Sequence, residues 1–197
     1  MARASKEQVG LNRKAVTTSA ARLFRERGFS GVSVNELMAD VGLTPGGFYS
    51  QFDSREELAA LACEEAFSIP NAKWRERLDA SAKPQTLLKH YLDGYLSTAE
   101  RDCVGVSCAA ASLATDVGRE KPEHPAHDAF VAGLEGMIEN VRDLIKAAGH
   151  SPDRDDAIAA VAMLVGALTL ARATKSDKLS IRILAAARRK MGKIYAA

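Results

Sequence analysis

The residues best equipped for chemistry lie in one short run, Thr44-Pro45-Gly46-Gly47-Phe48-Tyr49-Ser50-Gln51. Thr44 offers a hydroxyl and a methyl, Tyr49 a phenol, and Ser50 and Gln51 further hydrogen-bonding tips. These groups suit contact with a surface rather than bond-making. Glycine inside a helix costs about 1 kcal/mol relative to alanine, so two of them are odd in a helix that only fills a core. Leaving out two Cβ atoms from an exposed first turn instead lets the backbone approach an external surface closely.

Start signals flank this run. Ser33 with Glu36 forms a capping box, and Val32 and Leu37 are placed for a hydrophobic staple across it. Val34, Leu37, Met38 and Val41 then form one apolar stripe, which Gly42 ends. Thr44 can cap a second helix with Pro45 at its first position, and Leu43 and Phe48 repeat the staple. Ser54 with Glu57 opens a third helix. Two short helices joined through a glycine turn make a helix-turn-helix, whose second helix, here about 44–51, enters the DNA major groove. An ordinary αα-hairpin with a glycine-rich turn has the same local spacing.

The stretch from AARLFRERGFSGVSVNEL through MADVGLTPGGFYSQFDSREEL resembles the TetR/AcrR-type transcriptional regulators. The marks of the resemblance are Leu23-Phe24, Gly28-Phe29, Gly42, Tyr49, Phe52 and the ending Ser54-Arg55-Glu56-Glu57-Leu58. Three positions depart from the family pattern. Arg55 replaces a common Lys, Gln51 a common His, and Met38 a small residue. The resemblance implies base-edge contacts from Thr44, Pro45, Gly46, Gly47 and Ser50. It implies phosphate contacts from Tyr49, Gln51, Arg55 and the cap of Ser33.

Composition agrees with a soluble globular chain: 197 residues, 47% hydrophobic, 26% charged and a net charge of +2. The charge is uneven. Arg3, Lys6, Arg13, Lys14, Arg22, Arg25 and Arg27 meet only Glu7 and Glu26 in the first thirty residues, a basic footprint suited to phosphates. No apolar run follows Met1, and no run of eighteen apolar residues is present, so neither a secretory signal nor a membrane span is expected. Cys63, Cys103 and Cys108 form no disulfide or zinc pattern, which fits a cytoplasmic setting.

The whole chain reads as all-α, with no alternating strand pattern. A first helix spans about 6–27, with Val16, Ala20, Leu23 and Phe24 on one face and Gly28-Phe29 closing it. A helix over 54–68 connects two domains, 1–53 and 54–197, and Ile69-Pro70 is expected to end it. Helices follow over about 84–100, 107–117 and up to 148, the last two separated by the polar turn 118–127. Ser151-Pro152-Asp153 reads as the cap and first turn of the next helix, whose centre AIAAVAMLVGALTLARA is apolar nearly all round. A final amphipathic helix covers about 177–195. Excess apolar surface on these last two helices suggests a partner chain. A two-fold dimer also suits two heads reading half-sites about 34 Å apart.

The second half resembles the family more loosely, through LVGALTLARA and Cys108-Ala-Ala-Ala-Ser-Leu-Ala-Thr-Asp. That resemblance implies a homodimer through the last two helices and a small-molecule pocket within residues 70–172, hence a repressor released from a palindromic operator by a small ligand. Phe67, Trp74, Tyr91, Tyr95, Phe130, Leu134, Met137 and Met163 are candidate walls for a largely apolar effector. Cys103 and Cys108 allow another trigger, reaction with electrophiles or oxidants, for which a thiol must be exposed and have a lowered pKa. His124 and His127, with Glu123 and Asp128, lack the ligand pairing of a metal site, so no metal is expected. No nucleophile–base arrangement, P-loop or GxGxxG is present. No cofactor or catalytic residue is therefore expected. An enzyme of unrecognised type or a helical adaptor remain the readings from other classes.

Overall fold

The computed structural model describes residues 6–83 and 86–195, apart from the Lys6 side chain. Arg3, the charge of Lys6 and a helix start at Pro84 therefore lie outside the described residues. Helix α1 (Lys6–Arg27) buries Val16, Ala20, Leu23 and Phe24. It stops at Gly28, whose φ of 75° lies in the left-handed region that favours glycine. Helix α2 (Val34–Asp40) has the expected capping box: the Ser33 hydroxyl accepts from the Glu36 N–H at 3.2 Å, and the Glu36 carboxylate accepts from the Ser33 N–H at 2.8 Å.

The next element departs from the α-helix expected over 44–51. It is a 3-10 turn, Pro45–Ser50, and the Thr44 side chain makes no cap hydrogen bond. Six residues containing two glycines are too short and too weak to propagate an α-helix. Phe48 and Phe52, buried and 5.2 Å apart between ring centroids, anchor this turn onto α1 and α2.

Helix α3 (Arg55–Ala80) corrects a second expectation. It does not end at Ser68 but runs through Ile69-Pro70 for three more turns. Proline removes one helical hydrogen bond and crowds the preceding turn, so packing must offset that cost. The offset comes from α7 (Ala126–Ala147), against which α3 packs more extensively than any other helix pair. A Cβ at Gly133 would stand 2.6 Å from the Phe67 Cβ, and one at Gly136 would stand 2.8 Å from the Asn71 amide nitrogen. The two glycines thus let the helices approach closely. Asn71 donates to the Gly133 carbonyl at 3.1 Å, and buried Asn140 donates to the Asn71 carbonyl at 3.1 Å. These bonds brace the turn that contains Pro70.

The helix expected over 84–100 is two helices, α4 (Leu87–Tyr95) and α5 (Thr98–Asp102). Leu96 leaves helical space, and the Ser97 hydroxyl accepts from the Glu100 N–H to start α5. Helix α6 (Ala109–Val117) follows a 3-10 turn, Val104–Val106. Helix α8 (Arg154–Ala173) is capped by Asp153, in a capping box with Asp156, and not by Ser151. Pro152 accordingly precedes the helix. Helix α9 (Lys178–Tyr195) packs on α8.

Helix α8 is long and apolar enough to cross a membrane, with a mean hydropathy of 1.6, contrary to the expectation from the sequence. In this fold one side of it packs on α6, α7 and α9, while Ile158 and Leu170 are exposed, as are Leu179, Ile181 and Ile194 of α9.

The α3–α7 approach yields a prediction. Gly133→Ala forces Phe67 or the helix backbone to move and should destabilise the fold by about 2 kcal/mol, read as a lower urea midpoint. Unchanged stability would mean that the helices have room to spare.

Candidate nucleic-acid interface and adjoining cavity

The 3-10 turn presents its first half outward. Thr44, Pro45, Gly46, Tyr49 and Ser50 are exposed, Tyr49 at 75%. Gly46 and Gly47 lack the positive φ of Gly28. A Cβ on Gly46 would meet nothing within 4 Å, and one on Gly47 would sit 3.5 Å from the Met38 methyl, an ordinary contact. Among the described residues nothing therefore requires glycine at position 46. A surface that must come close from outside supplies a reason.

Tyr49 is held upright by an edge-to-face contact with Phe48, 5.1 Å between centroids. The Ser50 hydroxyl donates to the Gly47 carbonyl at 2.7 Å, and the Gln51 amide reaches the same oxygen at 3.3 Å. Gln51 is half-buried, with its amide oxygen unpartnered. Ser33 is exposed at the start of α2.

Arg55 points inward. Its guanidinium donates to the Phe29 carbonyl and, at 2.7 Å, to the Val32 carbonyl, lying 5.9 Å from the Phe24 ring centroid. It staples the end of α1 to the start of α2. Most other cations of the head are engaged as well. Arg13 donates to the Gln51 carbonyl, pairs with Glu57 at 2.5 Å and covers the Phe52 ring at 4.6 Å. Arg22 pairs with Asp40 at 2.8 Å, and Arg27 with Glu36 at 3.2 Å. The hydrogen bonds from Ser19 and then Arg22 hold the Asp40 carboxyl below the usual range.

Below the head lies a cavity of about 260 Å³. Helix α3 contributes Phe67, Pro70, Asn71 and Trp74; α4 contributes Tyr91 and Tyr95; α7 contributes Met137 and Asn140. Glu100, Val106, Ser107 and Cys108 close it toward the head. Five of the expected wall residues thus converge. Phe130, Leu134 and Met163 instead pack against the core, Phe130 edge-on to Phe67. A wider cleft of about 570 Å³ lies beside the contact of α1 with α3 and shares Ala66, Pro70, Trp74 and Val106 with the cavity.

Ser107 stands between cavity and head. Its carbonyl accepts from Arg25 of α1 at 3.1 Å, and its hydroxyl accepts from Arg172 of α8. Burial lowers the pKa of both guanidinium groups. At the far end of α6, Asp116 accepts from the Phe29 N–H at 3.0 Å. Sequence reasoning missed Asn71, Asn140, Ser107 and Arg172, and it counted Arg25 in a phosphate-facing footprint where the structure bonds it to Ser107. Asn140 carried a readable signal, a polar residue on the apolar stripe of Met137, Val141 and Leu144. Ser107 carried none, because its partners are 82 and 65 residues away.

Burial pushes the Cys63 thiol up to about 12 and also raises that of half-buried Cys108; Cys103 is exposed. His124 accepts from the Ala126 N–H and stacks on Phe29.

Residues 16–62 match the bacterial regulatory proteins of the tetR family. A 106-residue segment is 26% identical to the HTH-type transcriptional repressor DhaR of Mycobacterium sp. strain GP1, covering 53% of this chain and 52% of that protein. A 73-residue segment, 36% of this chain, is 29% identical to YerO of Bacillus subtilis strain 168, an uncharacterized HTH-type transcriptional regulator, and covers 25% of it. The chain thus spans about half of one curated relative that it matches and a quarter of the other. The fold superimposes on a TetR-family regulator from Agrobacterium tumefaciens with a TM-score of 0.77 at 18% identity, covering 95% of this chain and 98% of that one. The reduced form of E. coli NemR gives 0.74 at 19% identity, covering 90% and 95%.

The exposed turn gives a paired prediction. Gly46→Ala should leave thermal stability unchanged or slightly higher, because the Cβ enters open space, yet weaken retention of duplex DNA. Tyr49→Ala should also weaken DNA binding with circular dichroism unaltered. Parent-like binding by both variants would remove the turn from the interface.

Proposed function

We propose, for a chain whose residues 16–62 belong to the tetR family of bacterial regulatory proteins, that it acts in the cytoplasm as a homodimeric repressor released from a palindromic operator by a small ligand. The observation that carries this reading is the Pro45–Ser50 turn, outward-facing and glycine-opened with no internal need for glycine at 46. Thr44, Pro45, Gly46, Gly47 and Ser50 meet base edges, while Tyr49, Gln51 and the N–H groups behind the Ser33 cap meet phosphates. Arg55 braces the head from within and leaves phosphate contact to its neighbours, since its guanidinium is engaged by two carbonyls. The domains divide near residues 53 and 54, with α3 crossing from one to the other.

The exposed apolar residues of α8 and α9 support dimerisation. The cavity between α3, α4 and α7 supports a small effector, largely apolar as its walls are. The link between them is Ser107, bonded to Arg25 of the head and to Arg172 of the proposed dimer helix. A ligand that moves Ser107 changes the angle of α1 and hence the spacing of two heads.

The test is selection of random duplex DNA by the purified protein at physiological salt. Enrichment of one palindrome with half-sites about 34 Å apart is expected. Retention only at low salt would mean non-specific phosphate binding and would end the repressor reading.

A thiol trigger is the second reading, supported by exposed Cys103 and by Cys108 in the cavity wall. The raised pKa of Cys108 weighs against it, since a thiol and not a thiolate then faces the cavity. Alkylation of the native protein should modify Cys103 alone and leave DNA affinity unchanged. Rapid modification of Cys108 with loss of DNA binding would favour the thiol trigger instead.

A further inference from the structure

The cavity walls specify more than an apolar ligand. Trp74 stands edge-on to Tyr91, with centroids 4.8 Å apart, and Tyr91 lies tilted against Tyr95 at 5.7 Å. With Phe67 and Met137 they form a slot for a flat ring. About 260 Å³ admits one or two fused rings.

Polar chemistry in the slot is sparse. The amides of Asn71 and Asn140 are taken by the α3–α7 bonds. The Glu100 carboxylate accepts from the Cys108 N–H at 3.0 Å. The Tyr95 hydroxyl differs. Of the described residues that hold a buried side-chain polar atom without a hydrogen-bond partner, Tyr95 alone lines the cavity. Burial, and after it the neighbouring Cys108 thiol, raises the phenol's pKa, so it keeps its proton; that thiol is a weak sulfur partner outside hydrogen-bond geometry. A buried donor without an acceptor is an unmet demand.

The charges favour neither ionic form of ligand. Among the described residues no Lys, Arg or His lines this cavity, so an anion finds no counter-ion in its wall. Its one carboxylate, Glu100, is held by a backbone N–H and interacts electrostatically with Arg25 and Arg172, so a cation finds that site already balanced.

We propose that the cavity binds a neutral, flat, one- or two-ring aromatic compound bearing a hydrogen-bond acceptor that receives the Tyr95 hydroxyl. The assignment rests on the cavity being the effector site, but its test does not need DNA. Trp74 is the chain's single tryptophan and lines the slot, so its fluorescence reports occupancy directly. The probes are 2-acetylnaphthalene, naphthalene, 2-naphthoate and 2-naphthylmethylammonium, titrated into parent and Tyr95→Phe protein of matching circular dichroism. The ketone should quench saturably and bind roughly tenfold more tightly than the other three. Tyr95→Phe should bring it to within about twofold of naphthalene, whose own affinity stays unchanged. Equal affinity for ketone and hydrocarbon, tighter binding of either ion, or no saturable quenching overturns the proposal. Tight ketone binding that leaves a selected operator bound keeps the ligand class and defeats effector release instead.

Discussion

The close approach of α3 and α7 is the constraint on which the rest of the structure depends. Gly133 and Gly136 remove the side chains that would hold the helices apart, and Phe67 and Asn71 occupy the space. The Asn71 and Asn140 bonds then fix the register along the pair. Because of this brace α3 survives Pro70 and stays one rod from Arg55 to Ala80. At its start Leu58 is buried in the core, and twelve to sixteen residues on Pro70 and Trp74 line the cavity. A helix that broke at Pro70 would separate these two tasks.

The same economy of contacts governs the head. Its arginines look on paper like a cationic surface, but Arg13, Arg22, Arg27 and Arg55 bind carboxylates or carbonyls of the head itself. Partly exposed ion pairs of this kind contribute little stability singly. They orient α1, α2 and the 3-10 turn relative to each other. The face proposed for a nucleic acid is built from shape and uncharged donors, with Gly46 open and Tyr49 projecting. Backbone and hydroxyl contacts of this type set register on a duplex more than they add charge-driven affinity.

Much of this was legible because the deciding signals were local. The Ser33–Glu36 box, the glycine at 28 and the periodic stripe of α1 each involve residues within a turn or two, and each element appears where those signals put it. The errors have more than one cause. Proline at 70 argued for a helix end, and only contacts with residues 62 to 69 positions away override it. The break between α4 and α5 was hidden by a continuous apolar stripe, although Ser97 followed by Glu100 is a local cap pattern. At the site, residue types in the 44–51 run could be read, but the inward turn of Arg55 depends on carbonyls 23 and 26 residues upstream. In the cavity, aromatic composition suggested walls. Which of them converge was decided by the α3–α7 register, which no local window contains.

Hydrogen–deuterium exchange of the full chain, free and bound to its selected duplex at physiological salt, tests the central claim most directly. The account predicts that protection on binding concentrates in residues 33–51, above all at the amides of the Pro45–Ser50 turn, while the outer faces of α8 and α9 are unchanged. Protection confined to other elements, with the turn exchanging as fast as in the free protein, would contradict it.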